Sequence, residues 1–181
     1  MFWYALYTRP RHEKKVFQQL LEKRIEAFLP LQKELRKWKD RRKLVETPLF
    51  HGYVFIHIDL RDRLAALQTP GVVRLIAFGG EPARIPDWQI EQLKRVIESA
   101  EALRPEEYLK AGDYVEITGG PLAGVRGYLR ETRGESRVAI LLDGIYQSTS
   151  FVVKQEQVRK LKPAEYEMAP GEKLQVTSGK L

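Results

Sequence analysis

Residues 112–127 read G-D-Y-V-E-I-T-G-G-P-L-A-G-V-R-G. Val115 and Ile117 alternate with Tyr114, Glu116 and Thr118, the pattern of a strand with one buried face. Gly119, Gly120 and Pro121 then turn the chain sharply. Gly124 and Gly127 supply backbone freedom that a residue with a Cβ lacks. Later strands are expected near 137–142, 147–153 and 157–161, with Asp143-Gly144 as a hairpin turn between two of them. Together these make residues 112–161 a small all-β unit.

Working towards the N-terminus, Pro105 to Ala111 loses periodicity and carries charges, so 104–111 is expected to be a linker. Asp87 is a candidate N-cap for a helix running to about Leu103, with Ile90, Leu93, Ile97 and Ala100 as its apolar stripe. Val72 to Phe78 reads as a strand ended by Gly79-Gly80, and a short helix is expected over 62–68. Tyr53 to Ile58 (Y-V-F-I-H-I) is the clearest strand of the chain, rich in β-branched and aromatic residues. Residues 33–46 form a charged hairpin whose tip is expected near Lys39–Arg42. A helix over 12–24 places Val16, Phe17, Leu20 and Leu21 on one face and Glu13 largely elsewhere. Trp3 to Thr8 is a further strand. The order strand, helix, hairpin, strand, helix, strand, helix predicts an antiparallel sheet with helices packed against it, an α+β layer design over residues 1–103. Residues 162–181 are polar, with Pro163, Pro170 and two glycines, and read as a frayed tail.

Composition removes several function classes. At 181 residues and 43% hydrophobic content, the chain can fill a core of its own. It has no cysteine, so neither a disulfide framework nor a thiolate metal site is available. No apolar run approaches the ~18 residues of a membrane span, and the stretch M-F-W-Y-A-L-Y-T-R lacks a basic n-region followed by a long apolar h-region. A soluble cytoplasmic monomer is expected. The net charge of +7 is uneven: residues 1–43 hold 13 Lys/Arg and 5 Asp/Glu, a balance of +8, and the remainder balances at −1. Such asymmetry suits either a polyanion-facing surface or a merely solvated basic face.

The strand, Gly-Pro turn, Gly-x-x-Gly, strand order of 112–127 resembles the KOW motif, which opens SH3-like barrels in ribosomal proteins and NusG-type elongation factors. W-Y-A-L-Y-T (3–8), P-L-F-H-G-Y-V-F-I (48–56), P-G-V-V-R-L-I-A-F-G-G (70–80) and I-P-D-W-Q-I-E-Q-L (85–93) occur in order ahead of it. Together they resemble the NusG family over about residues 2–161. The stretch R-K-W-K-D-R-R-K-L-V-E-T-P-L-F is closer to RfaH-like specialised antiterminators. His51 departs from the family's usual proline, and the short helix lacks the threonine run of RfaH-like proteins. The resemblance implies a NusG N-terminal-like domain at 1–103, a linker at 104–111, a KOW barrel at 112–161 and a flexible tail at 162–181. RfaH-like members can hold their C-terminal domain as a helical hairpin, but the glycines and β-branched residues here favour a permanent barrel.

The resemblance also implies a role: a bacterial transcription elongation or antitermination factor that suppresses pausing or termination. In the family, an apolar pocket grips the clamp helices of RNA polymerase, and the matching positions are Tyr7, Phe50 and Tyr53. Independently of the family, Trp3, Ala5 and Tyr7 share one strand face, as do Tyr53, Phe55 and His57. Aromatics gathered on one surface suit a binding hot spot, although ordinary core is the alternative and the reading for Trp3 and Phe55. Arg9, Gln19 and Lys23 match positions that meet non-template DNA. Residues 19 and 23 are i, i+4 neighbours. Lys37, Trp38, Lys39, Arg41, Arg42 and Lys43 at the hairpin add charge and one stacking ring. In the family the barrel contacts a small-subunit ribosomal protein or Rho; Leu122 and Val125 at the KOW turn (Gly119, Gly120, Pro121, Leu122, Gly124, Val125, Gly127) are the expected surface.

Catalysis finds little support. His12, His51 and His57 are the only histidines; His57 and Asp59 could share a strand face, but no nucleophile accompanies them. No metal-ligand spacing is present, and the glycines of 119–127 lack the Gly-Lys-Ser/Thr ending of a phosphate loop. A non-enzyme without cofactor or metal is expected. The alternative function is an RNA- or ribosome-associated KOW protein acting in translation.

Overall fold

The computed structural model describes residues 1–38, 41–99, 103–106, 112–132 and 135–165. The N-terminal sheet is antiparallel and orders its strands β2-β5-β1-β6. These are β1 (Phe2–Thr8), β2 (Glu26–Phe28), β5 (Tyr53–Ile58) and β6 (Val72–Leu75). Helix α1 (Glu13–Glu22) follows β1. The hairpin strands β3 (Leu31–Trp38) and β4 (Arg41–Pro48) pair only with each other. Helix α2 (Arg63–Leu67) follows β5. The expected strand 72–78 divides instead: β7 (Ala77–Phe78) leaves the main sheet and pairs with β8 (Glu81–Pro82). Strand β2, unforeseen in the sequence, adds an edge to β5.

Period-2 alternation sorts the two faces of β1 and β5. Tyr4, Leu6, Val54, Ile56 and Ile58 pack with Val16 and Leu20 of α1 and Ala66 of α2. Leu21 does not join them, being 43% exposed. Trp3, Ala5 and Phe55 face the other way. On that side lies helix α3 (Asp87–Ser99), and beyond it the C-terminal sheet.

The C-terminal sheet has six antiparallel strands in the order β14-β10-β11-β12-β13-β9. They are β9 (Arg104–Glu106), β10 (Tyr114–Ile117), β11 (Arg126–Thr132), β12 (Glu135–Leu142), β13 (Gln147–Val152) and β14 (Val158–Lys160). The whole is the α+β arrangement expected, a helix-flanked antiparallel sheet plus a C-terminal β-barrel unit. In the KOW turn Gly120 and Gly124 have φ of +77° and +84°, conformations that cost glycine nothing. Gly127 serves a different need: a Cβ there would overlap the Ala139 carbonyl of β12.

The expected linker is corrected in part, because Arg104–Glu106 pair with β13 as an edge strand; residues 107–111 lie outside the described residues. At the start of the expected tail, Pro163–Glu165 form a 3₁₀ turn held by the Lys162 N–H on the Glu165 carboxylate at 2.8 Å; the rest of it, 166–181, lies outside the described residues. One hydrophobic cluster runs through both parts of the molecule. It joins Trp3, Ala5, Leu49, Phe50, Phe55, Ile85, Ile90, Leu93 and Val96 to Val115, Ile117, Val125, Val138, Ile140, Leu142, Ile145 and Phe151. The barrel is therefore seated on α3 and the aromatic side of the N-terminal sheet.

Candidate functional site

The β1–β5 register sets Trp3 opposite His57, Ala5 opposite Phe55 and Tyr7 opposite Tyr53. All six lie on one sheet face, as the alternation of each strand implied. Trp3 stacks on His57 with ring centroids 5.1 Å apart, and Tyr7 meets Tyr53 edge-on at 5.6 Å. Lys94 of α3 places its ammonium 5.3 Å from the Trp3 ring, and Arg74 of β6 its guanidinium 5.6 Å from the Tyr7 ring. Burial pushes the Tyr53 hydroxyl above its ordinary pKa; Tyr7 adds to the rise and Arg74 opposes it.

The three residues expected to form an apolar pocket do not share one environment. Tyr7 and Tyr53 are half-buried. Phe50 is closed off at 1% exposure, with its ring edge-on to Phe55 at 6.3 Å. Trp3 and Phe55 are core, as read from the sequence. The barrel closes on this face. Its Asp143–Ile145 turn lies against β1. Tyr146 meets Phe78 edge-on at 4.7 Å, and a cleft of about 330 Å³ remains between Tyr53, Arg74 and Phe78 on one side and Ile145 and Tyr146 on the other. The KOW turn is also occupied. Val125 is 1% exposed within the shared cluster and Leu122 packs partly against it, so Val125 is not the open surface the sequence suggested.

A second, larger cleft of about 640 Å³ opens beside Tyr7, between the start of α1 and the end of β4. Its floor holds Glu13, a 95% buried carboxylate that the helical pattern had put largely on a polar face. Glu13 Oε1 accepts the Gly52 N–H at 2.8 Å and so ties α1 to the turn that leads into Tyr53. The rim carries Arg11, Lys14 and His51.

Among the expected nucleic-acid contacts, Arg9 is exposed at the end of β1 and Gln19 is half-buried on α1. Lys23 is differently used: its ammonium donates to the Ala65 carbonyl at 2.9 Å and the Thr69 hydroxyl at 2.8 Å, fastening α1 to α2. Lys37, Trp38, Arg41 and Arg42 sit on β3 and β4, with Lys37 paired to Arg42 and Trp38 to Arg41; Lys39 lies outside the described residues. His57 and Asp59, which the sequence could have placed on one strand face, take separate partners. His57 is bonded to Glu26 at 2.7 Å and stacked on Trp3, while Asp59 binds Arg61. Among the described residues no group of three or more His, Asp or Glu is placed to hold a metal, and no helix is long and apolar enough to cross a membrane.

Strand periodicity could find the aromatic face, because both strands alternate cleanly. It could not find Glu13 or Gln92, polar residues whose burial depends on what another part of the chain brings to them.

An antiparallel sheet with an aromatic face, capped by a barrel that opens on a Gly-Pro, Gly-x-x-Gly turn, is the architecture of a transcription factor of the NusG type. Residues 1–94 match the family model described as "Transcription termination factor nusG". That is over half of the chain, which therefore belongs to the NusG family. Similar curated proteins include the transcription termination/antitermination protein NusG of Thermus thermophilus, 28% identical over 78% of this chain and 90% of that protein. The protein of the same name from Pseudomonas aeruginosa is 27% identical over 88% and 98%. A solved structure of domain interaction in Thermotoga maritima NusG superposes with a TM-score of 0.53 at 23% identity, covering 89% of this chain and 97% of that one. At that identity the likeness is one of fold.

Proposed function

We propose that this protein is a bacterial transcription elongation and antitermination factor that docks on the clamp helices of RNA polymerase through the Tyr7/Tyr53 face. One observation supports this above others: the β1–β5 register gathers Trp3, Tyr7, Tyr53, Phe55 and His57 on a single face within the residues that match the family model. Tyrosines at half burial offer large contact area at low rotamer cost. Phe50 acts from beneath, supporting the Phe55 ring. Binding would hold the clamp closed around nucleic acid and shift the polymerase towards its elongating state, a population shift without bond chemistry.

Residues 1–103 and 112–161 act as two units in this reading. The barrel moves off the sheet before polymerase docks, and its released surface meets a small-subunit ribosomal protein or Rho. Arg9, Gln19 and the basic hairpin face the non-template strand, with Lys23 serving the α1–α2 junction. Tyr53→Ala tests the docking face. It should abolish co-purification with RNA polymerase while leaving the thermal melt within a few degrees of the parent. Undiminished co-purification would defeat the assignment.

A further inference from the structure

Helix α3 buries two glutamines, Gln89 and Gln92, at 4% and 5% exposure. A helix packed on one sheet has an apolar stripe to bury and no reason to bury amides. Gln92 has a specific use. Its Nε2 donates to the Arg126 carbonyl at 2.7 Å, and its Oε1 accepts the Arg126 N–H at 2.8 Å. The side-chain amide thus pairs with one residue of β11 as a neighbouring strand would, across the boundary between the two parts of the molecule. Nearby, Arg95 Nη2 donates to the Pro121 and Ala123 carbonyls of the KOW turn.

Arg126 is held from its other end as well. Its guanidinium is 4% exposed and donates from Nε to Glu116 Oε1 at 3.2 Å and from Nη1 to the Glu165 carbonyl at 3.3 Å. Glu116 Oε2 in turn accepts from Arg159 at 2.6 Å, and Arg159 reaches the Glu165 carboxylate at 3.3 Å. Glu116, Arg126, Arg159 and Glu165 are thereby linked in one network. A guanidinium buried so far is costly once its counter-charge is removed. Losing Glu116 takes a carboxylate from the buried Arg126 guanidinium and so weakens the anchor of the strand end that clasps Gln92.

We infer that Gln92 and the Arg126 main chain form the latch that keeps the barrel on α3, and that Glu116, Arg159 and Glu165 set its strength by anchoring the Arg126 guanidinium. The C-terminal turn at 163–165 thereby becomes a control point for whether the aromatic face is open. The consequence for polymerase rests on the proposed function; the latch does not.

The absence of cysteine allows a direct test on the full chain. Gln18→Cys on α1 and Lys154→Cys after β13, both exposed positions, carry a donor and an acceptor dye. Energy transfer is followed through a urea series, so that a tightly closed chain is also brought to its opening midpoint. Gln92→Met keeps the volume and removes both hydrogen bonds. It should shift the closed–open ratio towards open by about ten- to a hundredfold, as expected for two ordinary hydrogen bonds. Glu116→Gln and Glu165→Gln should shift it the same way by a few-fold, and should add nothing in the Gln92→Met background. Gly144→Ala provides the open reference, because its Cβ would overlap Ile85. Far-UV circular dichroism checks that each variant is folded.

Transfer unchanged in Gln92→Met overturns the latch. Full additivity of Glu116→Gln with Gln92→Met overturns the role of the charge group. Equal transfer in the parent and in Gly144→Ala overturns closure itself. If the parent closes as described yet never binds RNA polymerase, the proposed function falls and the latch stands.

Discussion

Phe50→Ala should destabilise the N-terminal sheet rather than report on a partner. The ring is 1% exposed, lies edge-on to Phe55 and belongs to the cluster that spans both parts of the molecule. Its neighbours Leu49 and Phe55 are as deeply buried, so little can collapse into the void. Truncating a fully buried phenylalanine costs about 3–5 kcal/mol. For a chain of this size each kcal/mol lowers Tm by about 2–4 °C, which sets the expected drop at about 6–20 °C. Differential scanning calorimetry on the parent and the variant measures it. Tyr53→Ala is the companion, a half-buried side chain whose loss should shift Tm far less. A drop below about 2 °C for Phe50→Ala would refute the packing argument: it would mean that Phe50 stands in an open socket and that the barrel does not close on this face in solution. The two variants separate contact from support, because Tyr53→Ala can remove partner binding at a small stability penalty and Phe50→Ala cannot.

Glu13→Leu leaves the Gly52 N–H without its buried acceptor and should cost about 1–3 kcal/mol in urea denaturation, with Glu13→Gln largely restoring it. Asp59 is held down to a pKa of about 2 from 3.8, chiefly by the hydrogen bond from the Arg61 side chain and then by that from its N–H. A depressed carboxylate stabilises the fold above its unfolded pKa and loses that contribution as pH falls through the folded value. An NMR titration of the folded protein should give Asp59 a midpoint near pH 2, and Arg61→Ala should return it towards 3.8. Arg9→Ala should weaken binding to a single-stranded oligonucleotide and reduce the salt slope by about 0.7, whereas Lys23→Met should lower stability and leave the slope unchanged, because its ammonium is spent on Ala65 and Thr69.

The sequence was most legible where one strand's alternation met one packing partner. Tyr53–Ile58 was found with its boundaries, and the hairpin of β3 and β4 with its position. The KOW turn was readable because Gly120 and Gly124 take backbone angles that few other residues adopt. Errors gathered where neighbours decide. Strand β2 is three residues long and exists only because β5 offers it an edge. Val72–Phe78 looks continuous in sequence, yet the chain leaves β1 after Leu75 and makes its own hairpin with β8. Lys23 reads as a free cation until α2 is seen to present a carbonyl and a hydroxyl to it.

The closure of the barrel on the sheet belongs to a different order of information. Periodicity tells which face of a helix or strand is turned from water, but not what covers it. The apolar stripe of α3, Ile90, Leu93 and Ile97, accounts for one packed surface. Gln89, Gln92 and Val96 widen the buried arc beyond what a single sheet requires. A buried amide is stable only where another backbone satisfies it, and for Gln92 that backbone lies thirty-four residues further on. Polar residues bordering an apolar stripe are ordinarily read as its wet margin. Here Gln92 is a seam between two surfaces, and the same glutamine that blurs the helical pattern ties the two parts together. An interface that adds a few amide-to-main-chain bonds to the apolar cluster both sides share can be loosened at those bonds alone. That property suits a contact made to be broken, and it explains why neither the aromatic face nor the KOW turn announces in its sequence that it is covered.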